Sequence, residues 1–220
     1  MTLYHIYNRG VEKRTVFLDD GDRARFVHGL YVFNDRKTAP NYLLHSRGNT
    51  YPAGHIREPL VKIHAWCLMP NHYHLLISAT DDDAANISLF AQKLGMGYAR
   101  FFNEKYSRTG YLWQGTYRKK RIERDAHFLY MPFYIHLNPL DLSMPAWRQG
   151  IVKDIKKAIT QLHAYRWSSF QDYMGMKNFP SVIETSLLSS VLGAPKRQEK
   201  EIARIISSPI IAGKSRTIEM

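Results

Sequence analysis

Cysteine, acidic residues and long apolar runs are all scarce in this chain. A single cysteine, Cys67, among 220 residues excludes an internal disulfide framework and any zinc finger built on several thiolates. No run reaches the roughly 18 consecutive apolar residues that a membrane helix requires. The N-terminal segment "MTLYHIYNRG" also lacks the apolar core of a secretion signal. These absences predict a soluble, cytoplasmic protein without a membrane partner.

The shortage of acidic residues leaves the chain strongly basic. Its 31 Lys and Arg outnumber its 19 Asp and Glu, for a formal net charge of +12 at pH 7. Such an excess predicts an anionic partner, and nucleic acid is the leading candidate. Aromatic residues make up 13% of the chain, and 14 of them are tyrosines. Basic and aromatic side chains together favour single-stranded nucleic acid, because bases stack on rings while phosphates attract cations.

Hydrophobic periodicity and turn residues predict the order strand, helix, strand, strand, helix, strand, helix. The predicted segments are residues 3–10, 19–34, 61–69, 72–78, 81–106, 110–123 and 124–139. This order indicates an α+β fold of ferredoxin-like type, with helices packed on an antiparallel sheet. Within the last helix, Pro132 lies either near the first turn of a helix that starts late or at a kink in a longer one.

The chain is predicted to divide near residue 145. Residues 1–145 would form the main domain, in which residues 34–58, rich in turn signals, form a loop or an insertion. Residues 146–220 would form a mostly helical C-terminal extension, aromatic-rich at first and then a basic helical tail.

Two histidines follow a Pro-Asn turn in the stretch "MPNHYHLL". In a strand, His72 and His74 project side by side while Tyr73 points the other way and is expected to pack. Two neutral imidazoles presented together form half of a divalent-metal site. The spacing alone is weak evidence, because histidines two residues apart in a strand are more often incidental or packed.

A later helix, "FYIHLNP", carries Tyr134 and Asn138 four residues apart on one face, with Tyr130 one turn earlier. A tyrosine and an amide on one face could supply a nucleophile and a metal-facing oxygen. For either tyrosine taken alone, a core role is the better interpretation.

A basic stretch with aromatic residues just before it lies between these two motifs. Alternating rings and charges suit contact with nucleic acid, although lysines also protect a solvated strand edge from pairing. The high net charge favours nucleic-acid contact. The stretch comprises Trp113, Tyr117, Arg118, Lys119, Lys120 and Arg121, with Tyr111 before it.

Five separated segments now stand in one order: "YHIYNRG", "AWCLMPNHYHLLI", "GYLWQGTYRK", "FYIHLNP" and "YRWSSFQDY". Together they resemble the REP-associated tyrosine transposases, a branch of the single-tyrosine HUH transposases of small bacterial insertion sequences. The resemblance covers about residues 4–175. Its specificity comes from the agreement of all five motifs rather than from any one of them.

This resemblance implies a ferredoxin/RRM-like HUH nuclease fold and a divalent metal, Mg²⁺ or Mn²⁺. His72 and His74 would hold the metal, and Asn138 would complete its site. Tyr134 would attack a phosphate of single-stranded or hairpin DNA and form a 5′-phosphotyrosine link. Arg9, in the first motif, joins the basic stretch among the DNA-contacting residues.

The family's usual substrates are repetitive extragenic palindromes, and the chain would act as a monomer or a homodimer. Two other functions stay open at this point. One is a domesticated, non-catalytic DNA-binding regulator of such repeats, and the other is a phosphodiesterase that uses water as its nucleophile.

Overall fold

The computed structural model describes residues 1–37, 56–123 and 125–213, and for residues 125–127 it describes the backbone only. Its strands are β1 (Leu3–Arg9), β2 (Val61–Met69), β3 (His72–Ala79) and β4 (Arg118–Arg121). Its α-helices are α1 (Asp20–Val32), α2 (Ala84–Lys105), α3 (Asp125–Leu137), α4 (Ile155–Ala164), α5 (Phe170–Tyr173), α6 (Ser186–Leu192), α7 (Pro195–Ile206) and α8 (Pro209–Ala212). Short 3₁₀ helices span Val11–Lys13, Asn138–Leu142 and Pro145–Gln149.

The four strands form one sheet in the order β2-β3-β1-β4. β1 runs antiparallel to both of its neighbours, β3 and β4. With α1 between β1 and β2, and α2 between β3 and β4, this is the β-α-β-β-α-β connectivity of the ferredoxin-like fold. The predicted α+β class, with helices packed on an antiparallel sheet, is therefore confirmed.

The chain divides into two compact units. The first comprises Met1–Ile63 and Pro70–Ile122, and the second comprises His64–Met69 and Glu123–Met220. β2 therefore begins in the first unit and continues into the second. These units are defined by packing, and the predicted division into residues 1–145 and 146–220 stays a prediction.

An aromatic cluster forms much of the core of the first unit. The ring of Phe26 on α1 lies 4.9 Å from that of Tyr73 on β3 and 5.1 Å from that of Tyr98 on α2. Aspartate side chains begin both helices, because Asp19 accepts from the Asp22 amide and Asp83 accepts from the Ala85 amide. The ring contacts of Phe26 with Tyr73 and Tyr98 pack α1 and α2 on one side of the sheet.

In the second unit, the motif "YRWSSFQDY" pairs with the second half of β2. The Leu68 amide donates to the Trp167 carbonyl, and the Ser169 amide donates to the Trp66 carbonyl. The hydroxyl of Tyr173 donates to the His64 carbonyl at 2.6 Å. The helices α4 to α8 follow or flank this segment, so the predicted helical C-terminal extension is confirmed.

The structure corrects one predicted element and decides between the two positions that the sequence left open for Pro132. Of the predicted strand over residues 110–123, only Arg118–Arg121 forms one, and the residues before it form turns with a single bridge from Trp113 to Gly10. Pro132 lies inside α3 rather than near a late start. Most of the predicted loop over residues 34–58 lies outside the described residues. Among the described helices, none is long and apolar enough to cross a membrane.

Candidate functional site

One face of the sheet in the first unit collects the polar side chains of interest. The register pairs Tyr7 with His74 and Arg9 with His72, and directly paired residues share a face. On the other side of β1, Tyr7 pairs with Arg118 and His5 pairs with Lys120. We call this surface the His-pair face, comprising His5, Tyr7, Arg9, His72, His74, Arg118 and Lys120.

Tyr73, between the two histidines, points to the opposite face and packs. Its side chain is 1% exposed and lies against Phe26 and Trp113, with ring centroids 4.9 and 5.5 Å away. Burial raises the pKa of the Tyr73 phenol well above its usual value. The prediction that this residue packs in the core is confirmed.

His72 is oriented by the side chain of Asn71. The two are linked by a hydrogen bond of 2.6 Å between His72 Nδ1 and Asn71 Oδ1. The amide nitrogen of Asn71 donates to the Lys13 carbonyl at 3.0 Å, which leaves its oxygen toward the imidazole. Because an amide oxygen only accepts, His72 Nδ1 must carry the proton. The lone pair of the neutral ring is then on Nε2.

His74 is fully buried and is bonded to a third histidine. His74 Nδ1 and His5 Nε2 lie 2.9 Å apart, and the two rings stack with centroids 5.1 Å apart. The ring of Tyr7 stacks on His5 at 5.0 Å and leans on His74 at 5.8 Å. Burial and stacking therefore hold the His74 ring in one orientation.

The chemistry of this donor set suits a divalent metal. The rings of His72 and His74 lie 4.9 Å apart and nearly perpendicular, so the two imidazoles are neighbours without blocking each other by stacking. Imidazole ligands of metals usually use their second ring nitrogen in a hydrogen bond, as both histidines do here. In residues 1–37, 56–123 and 125–213, no group of three or more His, Cys, Asp or Glu side chains is arranged to hold a metal. A metal at this pair would therefore need further oxygen ligands from an amide, water or phosphate.

The basic strand β4 alternates between the two faces of the sheet. Lys119 pairs with Ile6 and reaches over the ring of Tyr4, 5.6 Å from its centroid, on the side away from His74. Arg121 pairs with Tyr4 and shares that side. Arg118 and Lys120 belong to the His-pair face. The stretch that the sequence presents as one basic patch is thus divided in two.

The two predicted aromatic DNA contacts lie in different settings. Trp113 is 9% exposed, packs in the aromatic core of the first unit and donates from Nε1 to the Gly95 carbonyl. Tyr117 is half-buried, and its hydroxyl donates to Ser88 at 2.8 Å. Stacking of DNA on either ring stays a prediction, and the burial of Trp113 does not support it.

Tyr134 and Asn138 lie in the second unit. Tyr134 is in the last turn of α3, Asn138 begins the following 3₁₀ helix, and both side chains are fully buried. The amide of Asn138 donates to the Tyr134 carbonyl at 2.8 Å. The competing Tyr130 lies one turn earlier and is 7% exposed.

Arg148 links these two residues. Its Nη2 donates to the Asn138 amide oxygen at 3.1 Å, and its guanidinium lies over the Tyr134 ring. Asp141 holds the guanidinium in place, accepting from Nε at 2.9 Å and from Nη2 at 2.6 Å. The side-chain oxygen of Asn138 thus accepts from the guanidinium cation of Arg148. The role of Asn138 as a metal ligand stays a prediction.

The structure therefore brings together His72 with His74, and Tyr134 with Asn138, each pair in its own unit. Three of their partners, His5, Asn71 and Arg148, were not predicted to be functional residues. Alternation along β1 places His5 and Arg9 on one face. His5 and His74 are 69 residues apart in the sequence, so their contact depends on the register between two strands and not on a local pattern. Arg148 stands beyond the predicted boundary at residue 145.

Comparison with known proteins gives three findings. No curated protein matches the chain. A solved structure described as a REP-associated tyrosine transposase bound to a REP hairpin aligns with a TM-score of 0.45 and 13% identity, covering 84% of this chain and 88% of that one. The family model described as "Transposase IS200 like" matches residues 25–138, just over half of the chain. The resemblance drawn from the five motifs is confirmed at the level of this family. The chain belongs to the IS200-like transposases.

Proposed function

We propose that this protein is a metal-dependent transposase-type endonuclease that nicks and rejoins single-stranded or hairpin DNA through Tyr134. One observation carries the proposal: residues 25–138, matched by the transposase family, contain both the His72–His74 pair and the Tyr134–Asn138 pair. The arrangement of each pair described above supports it. Membership of the REP-associated branch, and repetitive extragenic palindromes as substrates, rest on the five motifs of the sequence.

The role proposed for His72 and His74 is to hold Mg²⁺ or Mn²⁺ by their Nε2 atoms. When bound, the metal would neutralise charge on the scissile phosphate and polarise it toward attack. The two histidines contribute fixed orientation, because each ring is restrained through its Nδ1. Asn138 is proposed to add its amide oxygen, for which the guanidinium of Arg148 competes in the described conformation.

The role proposed for Tyr134 is that of nucleophile. Its phenolic oxygen would form a bond to phosphorus as the bond to the 3′ oxygen breaks, which leaves a 5′-phosphotyrosine and a 3′-OH. The phenol loses its proton to solvent and the departing 3′ oxygen gains one. Attack by a 3′-OH on the phosphotyrosine reverses these changes, so the phosphodiester energy is kept in the covalent link and strands can be rejoined.

The proposed DNA contacts are electrostatic. Arg9, Arg118 and Lys120 lie on the His-pair face, where a phosphate backbone approaching the histidines would meet them. Lys119 and Arg121 lie on the opposite side of β4 and are assigned a lesser, long-range role. The net charge of +12 would attract DNA from any direction.

A second candidate is a non-catalytic DNA-binding regulator, and the burial of Tyr134 favours it. Tyr134 is fully buried in the described conformation, whereas a nucleophile must reach phosphorus. Catalysis by Tyr134 therefore requires a local rearrangement around α3 that a regulator would not need.

Covalent trapping distinguishes these functions. Hairpin DNA with a single-stranded flank, incubated with the full-length protein and Mn²⁺, should yield a protein–DNA adduct that survives denaturing electrophoresis. Tyr134→Phe should abolish the adduct, while Tyr130→Phe, one helical turn away, should retain it.

Three other results would each contradict the proposed mechanism. An adduct formed by Tyr134→Phe would refute the proposed nucleophile. Cleavage without any adduct would indicate water as the nucleophile, and salt-sensitive binding without cleavage would indicate the regulator.

A further inference from the structure

His5 stands out among the residues of the first unit, because it contacts a proposed metal ligand yet no motif assigns it a role. Its side chain is fully buried in β1, a poor location for a titratable ring unless the ring has a specific partner. That partner is His74 Nδ1, 2.9 Å from His5 Nε2.

The bond between two imidazoles can be made in two ways. If His74 Nδ1 donates, its lone pair is on Nε2, and the neutral His5 carries its own proton on Nδ1. If His5 Nε2 donates, His74 must accept through Nδ1, and its Nε2 then carries the proton. Only the first arrangement leaves His74 Nε2 able to bind a metal.

Asn71 is hydrogen-bonded to Nδ1 of His72, as His5 is to Nδ1 of His74, but through an amide rather than an imidazole. Its amide is anchored by the Lys13 carbonyl, so the oxygen that faces His72 Nδ1 can only accept. Both histidines of the pair are thus bonded through Nδ1, one to an amide and the other to an imidazole. Restraint of both rings at the same nitrogen, by two unrelated partners, argues for a shared purpose rather than for incidental packing.

We propose that His5 and Asn71 are positioning residues that fix His74 and His72 in the tautomer with a metal-binding Nε2. This inference rests on the proposed function, since it takes the histidine pair to be the metal site. His5 is not itself a ligand in this arrangement, because its Nε2 is used by His74. Outer-shell partners of this kind change metal affinity by roughly 10- to 100-fold when they are replaced.

The tautomers can be measured directly in the metal-free wild-type protein by long-range ¹H–¹⁵N NMR of the imidazole rings. We expect His72 and His74 both to carry the proton on Nδ1 and to show an unprotonated Nε2. A proton on His74 Nε2 would overturn the proposal for His5. This measurement does not depend on catalysis or on any variant folding correctly.

Mn²⁺ titration of the full-length protein, followed by electron paramagnetic resonance, tests the consequence. His5→Leu should weaken Mn²⁺ binding by roughly 10- to 100-fold. His5→Gln, whose amide oxygen can accept near the position of Nε2, should recover much of it. Thermal unfolding of each variant reports stability separately, so a merely structural role would lower the melting temperature without this difference in metal affinity.

The outcomes separate this inference from the function on which it rests. If the wild type binds Mn²⁺, the His72→Ala/His74→Ala variant does not, and His5→Leu binds like the wild type, then His5 has no positioning role and the metal site stands. If the wild type binds no Mn²⁺, the metal site is wrong and the inference falls with it.

Discussion

The guanidinium carbon of Arg148 lies 5.5 Å from the centroid of the Tyr134 ring. The face of an aromatic ring attracts a cation placed over it. Hydrogen bonds to Asp141 and Asn138 hold the Arg148 guanidinium in this position. Arg148 therefore restrains both the proposed nucleophile and the neighbouring amide. In the proposed reaction, Arg148 would therefore act through Tyr134 and Asn138.

Loss of this restraint should speed adduct formation. We expect Arg148→Ala to raise the single-turnover rate with hairpin DNA and Mn²⁺ by up to roughly 10-fold, because Tyr134 must leave its buried position to react and the guanidinium no longer holds it there or occupies the Asn138 oxygen. Arg166→Ala is the matched control, since Arg166 also lies over aromatic rings in the second unit, those of Trp167 and Phe179. Adduct formation by Arg148→Ala at or below the wild-type rate would mean that Arg148 does not hold Tyr134 back from the reaction.

The alternation of β4 predicts unequal contributions from four consecutive basic residues. Arg118→Gln with Lys120→Gln, and Lys119→Gln with Arg121→Gln, each remove one arginine and one lysine. The first pair lies on the His-pair face and should weaken binding of hairpin DNA more. It should also reduce the slope of log K against log salt by about one for each phosphate that the variant no longer neutralises. Equal weakening in both double variants would show that only the total charge matters.

Local patterns were sufficient to predict the first strand, both helices of the first unit and the β2–β3 hairpin. Each is recorded in consecutive residues: alternation in "LYHIYNR", helical spacing in "ISLFAQKLGMGYARFF" and a Pro-Asn turn between two apolar runs. For the same reason, the shared strand face of His72 and His74 and the opposite orientation of Tyr73 could be predicted from three residues.

Long-range register was not predictable in this way. His5 meets His74 because β1 pairs with β3, and a shift of one residue would have turned His5 to the other face.

The burial of Trp113 was not predictable from local patterns either. Trp113 was predicted to contact DNA because it stands beside a basic run, yet its ring lies in the aromatic core between α1 and α2. Which rings are buried depends on how elements that are distant in the sequence pack against each other, and a local sequence pattern does not specify that packing.

Two glycines of α2 should respond oppositely to alanine. A Cβ on Gly97 would lie 2.1 Å from the tip of the Phe33 ring, which is itself buried, so Gly97→Ala should destabilise the fold by about 1–3 kcal/mol. A Cβ on Gly95 would meet its nearest neighbour, Trp113 Nε1, at 3.8 Å, an ordinary contact. Gly95→Ala should therefore be neutral or stabilising by up to about 1 kcal/mol, because alanine favours helix. Urea denaturation of both variants measures the difference, and a loss of stability in both would show that the Phe33 contact is not the cause.

Asp172 in α5 should limit stability at neutral pH. Burial raises the pKa of its carboxyl above the usual value, although its Oδ1 accepts from the backbone amides of Asn178 and Phe179. A raised pKa means that the folded state binds the proton more tightly than the unfolded state. Stability from this group therefore falls as pH rises from the unfolded value of about 3.8 through the folded pKa, and the full penalty is present at pH 7.

A neutral amide should remove this penalty and keep the two hydrogen bonds. We expect Asp172→Asn to melt at a higher temperature than the wild type at pH 7, with the difference narrowing as the pH approaches 4. Asp172→Ala loses the acceptor for both backbone amides and should melt at a lower temperature than Asp172→Asn at either pH. A wild type more stable than Asp172→Asn at pH 7 would mean that the ionised carboxylate is stabilised by its neighbours, contrary to the direction that its burial implies.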